Sequence, residues 1–165
     1  MAHLFLVQHG AAKPEAEDPK RGLTDEGRRA VERMAEFLST LQLPLDRIEH
    51  SGKLRAKETA EILAARLRPT EGTREISGIA PNDDIEPIRA RLEKESKPLM
   101  VVGHLPHLSR LAARLLGLPA DRTVVEFRMG GIDVKATSNL ISPTSARTPL
   151  PLRAANKTLA DGSIC

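Results

Sequence analysis

The runs from His3 to Val7 and from Leu99 to Val102 are short and apolar on both faces, and a strand without a polar side is stable only where helices cover both faces of its sheet. Arg47 to His50 is a third segment of this kind. Between and after these runs the apolar positions switch to helical spacing. Val31, Met34, Ala35 and Leu38 form one stripe, headed by Thr24 as N-cap with Asp25 and Glu26 in the favourable first turn. Ala56, Thr59, Ala60, Leu63, Ala64 and Leu67 form a second, with Pro69 just beyond it, and Leu108, Leu111, Ala112 and Leu115 form a third that follows Pro106 and stops at Gly117. A shorter helix is expected around Ile85, Ile88 and Leu92. Alternating strands and helices imply right-handed βαβ crossovers, so the expected fold is α/β: a three-layer αβα arrangement around a mostly parallel central sheet.

A chain of 165 residues suits one domain with a full-sized core and needs no disulfide framework or structural metal to fold. The single Cys165 has no partner for an internal disulfide, which fits a reducing compartment, and the expected location is the cytoplasm. No signal-peptide pattern opens the chain and no run approaches the roughly 18 apolar residues of a membrane span, so no membrane partner is expected. The net charge is +3, with basic and acidic residues interleaved, and three Phe with no Tyr or Trp leave almost no rings on which bases could stack. Nucleic acid is therefore not the expected partner.

In parallel sheets ligands bind beyond the carboxyl ends of the strands. "VQHG" follows the first run, "HSGKLRA" the second and "VGHLPH" the later one, so three loops bring His9, His50, Ser51, Arg55 and His104 towards one rim. A histidine at a strand end is most often structural and a lone arginine most often solvated. Their convergence is what points to a site.

"LFLVQHGAAKPEAEDPKRGLTDEGRR", "EHSGKLRAKETAEILA" and "LMVVGHLPHLSRLAARLLG" together resemble the histidine phosphatase superfamily, and within it the small SixA-type phosphohistidine phosphatases, from about residue 4 to residue 131. The family pattern is Arg-His-Gly, a later Ser-x-x-x-Arg-Ala-x-x-Thr-Ala and a later Gly-His-x-Pro. On that pattern the resemblance implies that His9 is the nucleophile, Arg55 the phosphate-binding arginine of the second loop and His104 the second histidine of the pocket. The implied phosphate-binding set is Gln8, Gly10, Arg55 and His104. Gln8 departs from the pattern, which has arginine there.

The chemistry can be argued from the side chains themselves. A neutral His9 offers a lone pair to phosphorus, and a phosphohistidine intermediate divides one displacement into two. Positive charge and donors around the equatorial oxygens are what the transition state needs, and the Arg55 fork with a protonated His104 would supply them without metal or other cofactor. His104 and His107 lie three apart, but Pro106 stands between them and there is no usable cysteine, so zinc is not expected. In "APNDD", Asp83 or Asp84 could serve as a general acid, yet Pro81 through Asp84 reads more readily as a turn capping the next helix. Lys13, Lys20 and Arg21 could line the mouth and steer a phosphorylated protein inward, with Ser51 beside them, or belong to a solvated charged loop.

The function expected is that of a metal-independent phosphatase removing phosphate from a protein phosphohistidine through a covalent enzyme intermediate, with a phosphorylated carrier or phosphotransfer protein and the phosphate ion as partners. The absence of long insertions favours an open site that accepts a protein surface. Two rivals stand beside it: a phosphatase or mutase for small phosphate esters, and a phosphate-binding module in which Gln8 marks lost activity. Gln8 keeps a donor but lacks the charge and fork of arginine, so activity should fall rather than vanish. Residues 1–134 are expected to form the phosphatase-like domain, with a strand over 123–128 as its last secure element. The tail 135–165, rich in Ser, Thr, Ala and Pro, is expected to be loosely packed or irregular, with Pro149 and Pro151 excluding a central strand.

Overall fold

The computed structural model describes residues 3–129 and 132–136. Its elements run β1 (His3–Gln8), α1 (Asp25–Thr40), β2 (Arg47–His50), α2 (Leu54–Leu67), β3 (Thr73–Glu75), α3 (Glu86–Glu93), β4 (Leu99–Gly103), α4 (His107–Leu115) and β5 (Ile132–Ala136). The sheet order is β3-β2-β4-β1-β5, parallel throughout except that β5 runs antiparallel to β1 along the edge. This is the expected three-layer α/β architecture. No described helix is long and apolar enough to cross a membrane.

Strand alternation explains why the central runs are apolar at every position. Phe5, Val7, Met100 and Val102 point to one face, where Val31, Ala35 and Leu38 of α1 and Ala60 and Leu63 of α2 cover them. Leu4, Leu6, Leu99 and Val101 point to the other, against Ile88 and Leu92 of α3 and Leu108 and Leu111 of α4. Thr24 caps α1 as anticipated, its Oγ1 receiving the Gly27 amide at 2.9 Å.

Glu49 is the one carboxylate set fully inside the sheet layer among the described residues. Arg91 of α3 engages both of its oxygens, and the Arg47 Nε lies 3.0 Å from Oε1. A buried charge is tolerable only with this degree of pairing.

Two expectations change, and one strand is unforeseen. Residues 123–128 form no strand: Val124 and Phe127, three apart, lean on the α3/α4 side of the core, and the free edge of β1 is taken by β5 instead. Because β5 spans Ile132–Ala136, the boundary drawn at 134 falls inside a paired strand. The exposed Thr73–Glu75 strand carries no apolar signal and exists because β2 offers it an edge. Positions 137–165, with Pro149 and Pro151, lie outside the described residues.

Candidate active site

Parallel pairing puts the ends of β1 and β4 side by side. Gln8 registers with Gly103, and the His9 amide donates to the Gly103 carbonyl at 3.2 Å. The next residue, His104, therefore stands against His9, with ring centroids 4.9 Å apart and planes inclined at 55°. From the neighbouring β2, Ser51 and the first turn of α2 complete the group: Arg55 Nε donates to His9 Nε2 at 3.2 Å, and Ser51 Oγ lies 2.6 Å from His104 Nε2.

The tautomer of His9 follows from its partners. Nδ1 lies 2.7 Å from the Gly10 carbonyl, which can only accept, so Nδ1 carries the hydrogen and Nε2 the lone pair. Burial pushes the His9 pKa down, and the charges of Arg55 and Arg21 push it further, against the Gly10 carbonyl. The result is a neutral imidazole whose free nitrogen faces a guanidinium.

Gly10 is required by space. A Cβ there would lie 2.8 Å from Val31 Cγ2 and 3.2 Å from the Gly27 carbonyl, so a side chain would push α1 off the sheet. Its amide donates to Thr59 Oγ1 at 3.1 Å, so in this arrangement Gly10 offers the site its carbonyl rather than its N–H. Thr59 in turn donates to the Arg55 carbonyl at 2.7 Å. In the sequence Thr59 counts as one more position on the apolar face of α2. Its place four residues after Arg55 was the signal of a second role.

His104 is 1% exposed, and burial, His9, Arg55, Lys53 and His107 together drive its pKa down to about 3. His104 is thus held neutral, not protonated as the sequence suggests, chiefly because it is buried and then because the charges of Arg55 and Lys53 oppose a further cation. Its Nδ1 is buried without a partner.

Ser51, half-buried, lies against the ring of His104. Lys13 contributes its carbonyl, which receives Arg21 Nε at 3.3 Å. Gln8 buries its Oε1 with no partner. His50 keeps to its own loop, its Nδ1 accepting from the Gly52 amide at 3.2 Å. Asp83 and Asp84 accept from the amides of Ala80 and Glu86 at 2.8 and 3.1 Å, which is the turn-capping role. The described residues contain no group of three or more His, Cys, Asp or Glu placed to hold a metal ion.

Comparison with known proteins places this arrangement in context. The profile of the histidine phosphatase superfamily (branch 1) matches residues 4–79. An uncharacterized protein of Picosynechococcus sp. is 38% identical over 117 residues, which is 66% of this chain and 70% of the relative. Among solved structures, the protein histidine phosphatase SixA complexed with tungstate superposes with a TM-score of 0.70 at 26% identity, over 80% of this chain and 86% of SixA. The alpha-ribazole phosphatase of Shigella flexneri superposes with a TM-score of 0.68 at 17% identity, over 83% of this chain and 91% of that one; at that identity the likeness is one of fold.

Proposed function

This chain belongs to the histidine phosphatase superfamily, and from that membership we propose that it is a phosphohistidine phosphatase that acts on a phosphorylated protein through a covalent intermediate on His9. The observation that carries the proposal is the fixed tautomer of His9, whose Nε2 lone pair faces Arg55 Nε at 3.2 Å.

In the first step the Arg55 N–H leaves Nε2 for a phosphoryl oxygen, and Nε2 attacks phosphorus. The P–N bond to the substrate imidazole breaks as the P–Nε2 bond forms, and the departing imidazole nitrogen takes up a proton from solvent. In the second step water attacks phosphorus and gives up one proton to solvent, the P–Nε2 bond breaks, and inorganic phosphate leaves with His9 regenerated. Charge on the equatorial oxygens is met by Arg55 and by the hydrogen of His104, whose ring Ser51 orients. An imidazole leaving group needs less help than an alkoxide, which accords with Asp83 and Asp84 being committed to a turn. The cytoplasm suits a chain with one cysteine.

The substrate class rests on the likeness to SixA. Hydrolysis of a phosphohistidine-bearing carrier protein, measured beside a panel of sugar phosphates, tests it: preference for the carrier is expected, and preference for the sugars would overturn it. One observation favours a second reading, a phosphate-binding module without turnover: Gln8 stands in the strand-end position with an orphaned oxygen. Rapid quenching separates the two. An enzyme yields an acid-labile, base-stable phosphoryl group on His9 that His9→Ala lacks, whereas a module binds phosphate and is never labelled.

A further inference from the structure

The loop between β1 and α1 folds back on itself. Ala12 bridges Leu23, and the Lys13 amide donates to the Gly22 carbonyl at 2.8 Å. At its turn Arg21 adopts a left-handed backbone with φ of 51°, a conformation that is unfavourable for a non-glycine residue. Asp18 holds the turn, its carbonyl receiving the Arg21 amide and its Oδ2 the Gly22 amide, both at 2.8 Å.

This loop docks on the start of α2. The Leu23 amide donates to Glu58 Oε2 at 2.6 Å, and a Cβ on Gly22 would come within 3.2 Å of both Leu54 Cδ2 and Glu58 Oε2. Arg21 is thereby set beside the turn that carries Arg55. Its Nε is anchored on the Lys13 carbonyl, leaving both terminal nitrogens as donors. The ion pairs among the described residues include neither Arg21 nor Arg55. Asp18 and Glu58 are engaged with backbone amides of the loop, so two half-buried guanidinia stand near one another with no ion pair of their own; they suit a ligand with two negative charges.

We propose that Arg21 is a phosphate-binding residue of this site, supplying from the loop after β1 the second guanidinium that position 8 does not provide. The proposal rests on the phosphatase reading for its substrate, but not for its anion. The charge of Arg21 already reaches the reacting group, since it lowers the pKa of His9 and that of Arg55 as well.

The test uses Arg21→Gly, because glycine accepts the left-handed backbone and leaves the turn intact. Tungstate affinity is measured by calorimetry and phosphohistidine hydrolysis by phosphate release, with thermal melting as the control for folding. Arg21→Gly should melt no lower than wild type yet bind tungstate at least about tenfold more weakly, with a comparable loss in kcat/KM. Its acid limb of kcat/KM should move to higher pH, because a cation that depresses His9 has gone; a merely structural role would leave that limb in place. Adding Gln8→Arg to Arg21→Gly should recover most of the tungstate affinity. Tungstate binding by a folded Arg21→Gly within twofold of wild type, or a double variant no better than Arg21→Gly, overturns the proposal while leaving the phosphatase reading intact. Wild-type protein that binds no tungstate overturns both. Tungstate binding that follows the expected pattern in a protein that spares phosphohistidine sinks only the substrate assignment.

Discussion

Thr59 ties the loop of His9 to the helix of Arg55: its Oγ1 receives the Gly10 amide at 3.1 Å and donates to the Arg55 carbonyl at 2.7 Å. Thr59→Val keeps the shape and removes both bonds. The buried Gly10 N–H is then left without an acceptor, a cost of about 1–3 kcal/mol, and the Gly10 carbonyl that fixes the His9 tautomer loses its anchor. Denaturant unfolding should register that loss, and kcat should fall about tenfold or more with KM little changed. Thr59→Ser should retain most of both. A Thr59→Val protein with wild-type kcat would show that the tie is structural alone.

His104 gives stability a definite pH dependence. Its pKa is about 3 in the folded protein, against roughly 6.5 in an unfolded chain. Between those values the unfolded chain holds the extra proton, so stability is fully present above pH 6.5 and is lost as pH falls, by about 1.4 kcal/mol per pH unit for each such group. His9, His50 and His107 are lowered for the same first reason, burial, and act in the same direction. Urea unfolding at pH 7.5, 6 and 5 should show a falling midpoint, and His104→Gln should flatten the decline. Saturating tungstate should also flatten it, because an anion beside His104 favours its charged form. A midpoint that holds steady from pH 7.5 to 5 would contradict this account.

The pairing of Glu49 predicts an asymmetry between its two sides. Glu49 is 0% exposed, whereas the Arg91 side chain that grips it is 39% exposed. Arg91→Ala strands a carboxylate in the sheet layer, with Arg47 alone to meet it, and should destabilise by about 3–5 kcal/mol. Glu49→Met removes the buried charge, frees the half-exposed Arg91 towards solvent and leaves Arg47 its pairs with Glu71 and Glu95, so it should cost clearly less. Equal losses, measured by denaturant unfolding, would show that Arg91 acts by packing and not by neutralising Glu49.

The parts of this molecule that a sequence can reveal are those whose signal is local. Phe5, Val7, Met100 and Val102 announce buried strands because every position is apolar, and Thr24 announces a helix start through its own side chain. Parallel pairing then places His9 beside His104 almost by rule, since Gln8 and Gly103 share a register. What stayed hidden depends on partners distant in the chain. Thr73–Glu75 becomes a strand only because β2 has an open edge. Residues 123–128 have strand-like composition but lose the edge of β1 to β5. The neutral state of His104 follows first from its burial and then from the charges of Arg55 and Lys53 and the neighbouring imidazoles of His9 and His107, and no spacing encodes that. Ser51 reads as a mouth residue until the fold turns it onto His104.

Arg55 serves the site in two ways that a pH profile can separate. Its Nε donates to His9 Nε2 at 3.2 Å, and its charge helps to hold the His9 pKa below the ordinary histidine value, after burial, which is the larger cause. Only unprotonated His9 can attack phosphorus, so kcat/KM must fall on the acid side as His9 takes up a proton. Arg55→Gln keeps a donor and removes the charge. His9 then binds protons more readily, and the acid limb should shift to higher pH, leaving less active enzyme at any pH along it. The plateau should also drop, about a hundredfold or more, because the main cation facing the phosphoryl oxygens is gone. Arg55→Lys keeps the charge without the fork: its acid limb should stay near the wild-type position while its plateau falls. Phosphate release followed from pH 4.5 to 8 for the three proteins distinguishes these terms, and an Arg55→Gln profile that drops in height without moving its acid limb would show that the arginine holds phosphate and does not set the protonation of His9.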